Sequence, residues 1–140
     1  MKVAIALGSN LGDRKAHIDF AVARLGELLG DLRVSSIMET EPVDVPDQQP
    51  PYLNAVVVGE TDLEPEALLE KLLAIERARG RERKSPKAAR TLDLDIILYG
   101  ETRMRSPHLE IPHPRFTNRP FVIEPLRELE PEWVKRILAP

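Results

Sequence analysis

The chain contains no cysteine. That excludes a disulfide scaffold, a zinc site built on thiolates and a cysteine nucleophile. Aromatic residues are scarce at 4%, so aliphatic side chains must build the core and each aromatic is worth locating. No apolar run approaches the ~20 residues needed to cross a bilayer. The apolar stretch from Val3 to Leu7 is too short for a signal peptide. A cytoplasmic protein with no membrane partner is the expectation. Asn and Gln are also few and Arg outnumbers Lys, a bias in the direction of heat-adapted proteins.

At 140 residues the chain fits one domain, 1–140, around one core. An apolar share of 42% and a charged share of 31% are those of a globular protein and not of a disordered one. The net charge of −3 is unevenly spread. Residues 77–90 hold seven cations (Arg77, Arg79, Arg81, Arg83, Lys84, Lys87 and Arg90) against one acid, Glu82. A basic island in an acidic protein suits a compact anionic ligand better than a nucleic-acid track. For Arg77 and Arg79 the plainer reading is favoured, the solvated end of a helix.

Val3, Ile5 and Leu7 alternate with smaller residues, which predicts a strand over 2–7. A turn over 8–13 follows, then a helix from about Asp13 to Leu29, stopped by Gly30. Residues 32–40 predict a second strand. Pro42, Pro46, Pro50 and Pro51 make 42–51 an irregular loop. Tyr52–Val58 predicts a third strand. A second helix starts at Pro65 and ends at Gly80. The basic loop over 81–90 leads to a fourth strand, Leu92–Tyr99, expected to be central because both its faces are largely apolar. A short helix near Glu132–Leu138 closes a proline-punctuated remainder. The order β-α-β-β-α-β predicts an α+β, ferredoxin-like sheet with both helices on one face and a C-terminal extension. Strand ends and loops on the opposite side are then free to form a site.

In the fourth strand, alternation puts Asp93 and Asp95 on one face about 7 Å apart at Cα. Ionised and partly desolvated together, they repel each other and lose hydration. A divalent cation removes both penalties, and an oxygen-only donor set favours magnesium over zinc. For a D-x-D alone, two exposed aspartates paired with arginines is the better reading. The basic loop and Arg90 shift the balance. Carboxylates, a metal and facing guanidinium groups are the layout that phosphoryl transfer requires.

His113 lies between two prolines and is flanked by Arg115 and Arg119, which suits a phosphate contact. A structural histidine is the usual alternative. Asn54 follows Tyr52 on one strand face and must find hydrogen-bond partners. A flat heterocycle would supply them, and so would loop backbone; the two readings stand level. Gly8-Ser9-Asn10-Leu11-Gly12 lacks the phosphate-loop patterns and reads as a structural turn. The element order also describes RNA-recognition domains, but those need solvent-facing aromatics on the central strands. Here the corresponding positions carry aspartates.

Five segments together resemble one family: Gly8-Ser9-Asn10-Leu11-Gly12, Thr40-Glu41-Pro42-Val43, Tyr52-Leu53-Asn54-Ala55, Arg90-Thr91-Leu92-Asp93-Leu94-Asp95-Ile96, and Pro112-His113-Pro114-Arg115 with Asn118-Arg119-Pro120-Phe121. The match is collinear, covers nearly the whole chain and is similar to 6-hydroxymethyl-7,8-dihydropterin pyrophosphokinase of folate biosynthesis. The resemblance implies transfer of pyrophosphate from ATP to the hydroxymethyl group of the pterin, with AMP leaving. It implies two magnesium ions on Asp93 and Asp95, and Arg81, Arg90 and Asp95 as catalytic residues. It implies ATP contacts from Glu76, Arg81, Lys84, Arg90, Ile96, His113 and Arg119. Thr40, Val43, Tyr52, Asn54 and Phe121 would form the pterin pocket. The implied partners are these two small molecules and no nucleic acid, in a monomer or weak dimer. Asp44, Leu73 and the basic loop depart from some members.

Overall fold

A computed structural model describes residues 1–41, 50–79 and 91–139. The chain starts with strand β1 (Lys2–Ser9), whose Val3, Ile5 and Leu7 are fully or almost fully buried. Helix α1 (Arg14–Leu28) begins where Asp13 accepts the Ala16 N–H at 3.1 Å, a side-chain cap for an otherwise orphaned donor. It buries Ile18, Ala21 and Leu25. Strands β2 (Gly30–Val34), β3 (Met38–Thr40) and β4 (Tyr52–Glu60) follow. Helix α2 (Pro65–Ala78) opens with Pro65, whose missing N–H costs nothing in a first turn, and buries Leu68, Leu72 and Ile75. Strand β5 is Asp93–Tyr99.

These strands form an antiparallel sheet in the order β2-β4-β1-β5, with β3 also paired to β4. The single strand expected over 32–40 is two strands. Ser35 turns inward between them, and its hydroxyl accepts the Val56 N–H at 2.9 Å in place of a strand carbonyl. A local side-chain bond of this kind competes with the ladder.

Strand β5 is an edge strand of that sheet and not a central one. Its two apolar faces have another cause. One packs under the α2 side of the core, the other under the chain's C-terminal part, and its outer edge is covered by the segment around His113, whose N–H reaches Ile97 O at 2.9 Å. The alternation read from sequence also breaks. The register runs Ala4 to Leu98 and then Ile5 to Ile96, so Ile97 is an extra residue. Such a bulge moves every later side chain to the other face. Leu98 therefore joins the core cluster of Ile97, and Tyr99 joins that of Leu94 and Ile96.

The remainder is more regular than its prolines suggest. A small hairpin of β6 (Met104–Arg105) and β7 (Glu110–Ile111) precedes a 3-10 turn, Phe116–Asn118. Two helices follow, α3 (Pro120–Leu129) and α4 (Pro131–Leu138). Pro120 and Pro131 both stand at helix starts. Sequence pattern predicts only the second of these helices.

Helices α1 and α2 cover one sheet face, over Val3, Ile5, Leu7, Leu94 and Ile96. Helices α3 and α4 pack Val122, Leu126, Trp133 and Val134 on the other face, against Ala4, Val56, Val58 and Leu98. That second face is thus not wholly free. Beyond these contacts lies the end where β1 finishes and β4 and β5 begin. Among the described residues, no helix is long and apolar enough to cross a membrane.

Candidate active site

At that end of the sheet a glycine separates two polar side chains. Gly8 on β1 pairs with Asn54 on β4 and with Asp93 on β5, and Ala6 pairs with Val56 and Asp95. Strands lie about 4.8 Å apart, so Asn54 and Asp93 are roughly 10 Å apart at Cα with only a glycine between them. A Cβ on Gly8 would lie 3.6 Å from Asn54 Oδ1 and 3.6 Å from the Tyr52 ring, ordinary contacts. The protein itself therefore does not demand glycine there.

On the β3–β4 side, Thr40 pairs with Tyr52 and Met38 with Asn54. Asn54 donates through Nδ2 to Met38 O at 3.2 Å and to Thr40 Oγ1 at 2.9 Å. The main-chain acceptor is on a strand and not in the loop weighed from sequence. Strand β3 supplies both acceptors, and Oδ1 is turned toward Gly8. Asn10, read from sequence as part of a turn, and Arg14, which sequence analysis passes over, hold the entry to β4: Asn10 Nδ2 donates to Pro50 O at 3.3 Å and Arg14 to Pro51 O at 2.8 Å. The glycine-rich segment is thus a structural turn, with Ser9 and Asn10 fully buried and Gly12 at a φ of 70°.

On the β5 side, Asp93 and Asp95 precede the bulge, so they share a face, and both are half-buried. Glu76, near the end of α2, accepts the N–H of Leu94 at 2.7 Å. Ile96 and Asp95 line an open cleft of about 320 Å³ that runs along the outer edge of β5 to His113 and Pro114. Leu69, Ser106, His108, Leu109 and Glu110 also line it. None of these five is expected from sequence: Leu69 reads as an ordinary apolar residue of α2, and the β6–β7 hairpin has two residues per strand and shows no periodicity.

His113 accepts the Arg115 N–H through Nδ1 at 3.3 Å. Burial first, and then the Arg119 guanidinium, hold its pKa below the ordinary value, against the opposing pull of Asp93. The imidazole is therefore neutral at neutral pH, with its proton on Nε2 as a donor. Arg119 also lies 5.9 Å from the centroid of the Phe121 ring, in the first turn of α3. Val43, Arg81, Lys84 and Arg90 lie outside the described residues.

The donor set fits magnesium. Two carboxylates share one face, with small residues beside them and no nitrogen or sulfur ligand in the pair. Among the described residues there is no group of three or more His, Cys, Asp or Glu that could hold a metal. A pair of carboxylates suits an ion that keeps waters and takes substrate phosphates.

Comparison with known proteins decides the family. A sequence profile described as 7,8-dihydro-6-hydroxymethylpterin-pyrophosphokinase (HPPK) matches residues 4–131. The chain belongs to that family. It is 40% identical over 132 residues to a 2-amino-4-hydroxy-6-hydroxymethyldihydropteridine pyrophosphokinase of Synechocystis, covering 93% of this chain and 67% of the relative. It is 43% identical over 127 residues to the Bacillus subtilis protein of the same name, covering 89% and 75%. A folate synthesis bifunctional protein of Arabidopsis thaliana is 44% identical over 130 residues, which are 91% of this chain but 27% of that protein. The pyrophosphokinase match takes in Gly8, the aspartate pair and the cleft along β5.

Proposed function

We propose that this chain transfers the β,γ-pyrophosphoryl group of ATP to the hydroxymethyl oxygen of 6-hydroxymethyl-7,8-dihydropterin, with AMP leaving, in folate biosynthesis. The observation that carries this reading is the row Asn54–Gly8–Asp93 across three adjacent strands. In this reading a flat heterocycle lies over Gly8, one strand away from a carboxylate pair of which Asp95 borders the cleft of about 320 Å³.

In this reading Asn54 Oδ1 accepts from a ring N–H, while Thr40 and Met38 fix the amide so that it cannot turn. Tyr52 and Phe121 stack on the ring faces. His113 donates its Nε2 proton to a phosphate oxygen, and Arg119 adds charge. Asp93 and Asp95 hold magnesium, two ions in this reading, which would neutralise the charge shared by the attacking and leaving oxygens. Holding both reactants in line removes most of the orientational cost of the reaction. The strand order, with α1 and α2 on one face, also supports the ferredoxin-like description. A single catalytic unit over 1–140, working in the cytoplasm as a monomer or weak dimer, completes the proposal.

The direct assay incubates folded protein with ATP, magnesium and the hydroxymethyl-dihydropterin and follows AMP. AMP formation that requires all three is the expected result. A folded protein that yields no AMP above background overturns the proposal.

A further inference from the structure

Glu76 does something that nucleotide contact does not require. Its carboxylate accepts the N–H of Leu94 at 2.7 Å. Leu94 is the residue between Asp93 and Asp95. Its N–H turns away from β1, toward the outer edge of β5, where the sheet has no further strand among the described residues. A carboxylate from α2 takes the place that a neighbouring strand's carbonyl would hold. Farther along the same edge, the His113 N–H reaches Ile97 O at 2.9 Å. The strand that carries both aspartates is therefore tied on its outer side at Leu94 and again at Ile97, with Asp95 between the two ties.

A hydrogen bond to a charged acceptor is stronger than a neutral one. It fixes the peptide unit from which Asp93 and Asp95 project to the same side. Glu76 lies with the pair but does not form with it a three-carboxylate cluster able to hold a metal, on the described residues. We propose that Glu76 is a positioning residue for the aspartate pair: through the Leu94 N–H it holds β5 so that both carboxylates meet the same cation. This rests on the reading of Asp93 and Asp95 as magnesium ligands.

The test compares Glu76→Ala with Glu76→Gln, whose amide oxygen can still accept the Leu94 N–H. Amide hydrogen exchange at Leu94 is measured on the protein without ATP or magnesium. Glu76→Ala should speed it by about tenfold or more, and Glu76→Gln should restore most of the protection. In the AMP assay, Glu76→Ala should raise the magnesium concentration for half-maximal rate by about tenfold while KM for ATP at saturating magnesium changes less than about twofold. Should the alanine variant fail to fold, Glu76→Asp replaces it, keeping the charge but withdrawing the oxygen. Unchanged Leu94 exchange overturns the positioning role by itself. So does a raised KM for ATP with an unchanged magnesium requirement, which would make Glu76 a nucleotide contact. An Asp95→Asn control with full turnover and unaltered magnesium dependence would instead sink the magnesium reading, whatever Leu94 exchange reports.

Discussion

Gly8 is the residue on which the two halves of the site meet. It is buried in mid-sheet, with Asn54 and Tyr52 on one side and Asp93 on the other. A methyl group there would meet only ordinary contacts at 3.6 Å, so Gly8→Ala should fold with stability changed by no more than about 1 kcal/mol. The methyl would add bulk between Asn54 and Asp93, where the proposed pterin lies. We expect KM for the pterin to rise about tenfold or more, with KM for ATP little changed. Steady-state kinetics on both substrates, with a thermal melt as control, checks this, and equal effects on the two substrates would argue against a pterin pocket over Gly8. At this scale much of the site was legible. Asp93, Asp95, Asn54 and His113 stand in motifs whose chemistry is unusual for a strand or a proline-flanked segment. Leu69 and Glu110 were not legible, because a leucine on a helix and a glutamate in a short hairpin look like any others.

Helices α1 and α2 are joined by a side-chain cluster that neither helix predicts alone. Arg79, at the C-terminal cap of α2, donates to His17 Nδ1 from two guanidinium nitrogens, at 3.1 and 2.8 Å. Its guanidinium carbon also lies 4.6 Å from the centroid of the Phe20 ring, with Arg24 at 5.0 Å. Arg79 is thus a structural residue, as its position at a helix end suggests. The bonds require an unprotonated Nδ1. Burial first, then the Arg79 charge, lower the His17 pKa below 6.5, with Asp13 and the Leu11 backbone opposing. The unfolded chain takes up a proton at this group before the folded chain does. Stability from this clasp is therefore complete above about pH 6.5 and is lost as pH falls through the folded pKa. His17→Gln keeps an acceptor and removes the titration. Between pH 7 and pH 5, Tm should fall further in the parent protein than in His17→Gln, and parallel falls would exclude the clasp as the cause.

At the scale of the whole molecule, three of the four α-helices among the described residues are legible in the sequence, while α3 is not. Its apolar face is clear once seen, with Val122, Ile123 and Leu126 buried. However, Pro120 and Pro125 read locally as breaks, and only packing on β4 and α4 outweighs that preference. The edge position of β5 was hidden for a related reason. Alternation reports burial on two faces but not what lies beside a strand. The layer formed by α3 and α4 is also fastened by charge. Glu130, between the two helices, accepts from Lys2 on β1 at 2.7 Å and pairs with Arg33 on β2, which also donates to Leu129 O at 2.9 Å. Burial pushes the Glu130 carboxyl up, but hydrogen bonds from Lys2 and Arg33 outweigh it and hold the pKa below 4.5. Its side chain is 14% exposed, whereas those of Lys2 and Arg33 are 39% and 47% exposed. The cations are therefore partly screened by solvent, and the full cost of breaking a buried pair does not apply. Glu130→Ala should cost about 1–3 kcal/mol in urea unfolding at neutral pH. Because a depressed carboxylate contributes above its unfolded pKa and is lost as pH falls through the folded one, the gap between parent and variant should close in acid, below about pH 4.5. A gap that is unchanged in acid would assign the loss to packing of α3 and α4 and not to the ion pairs.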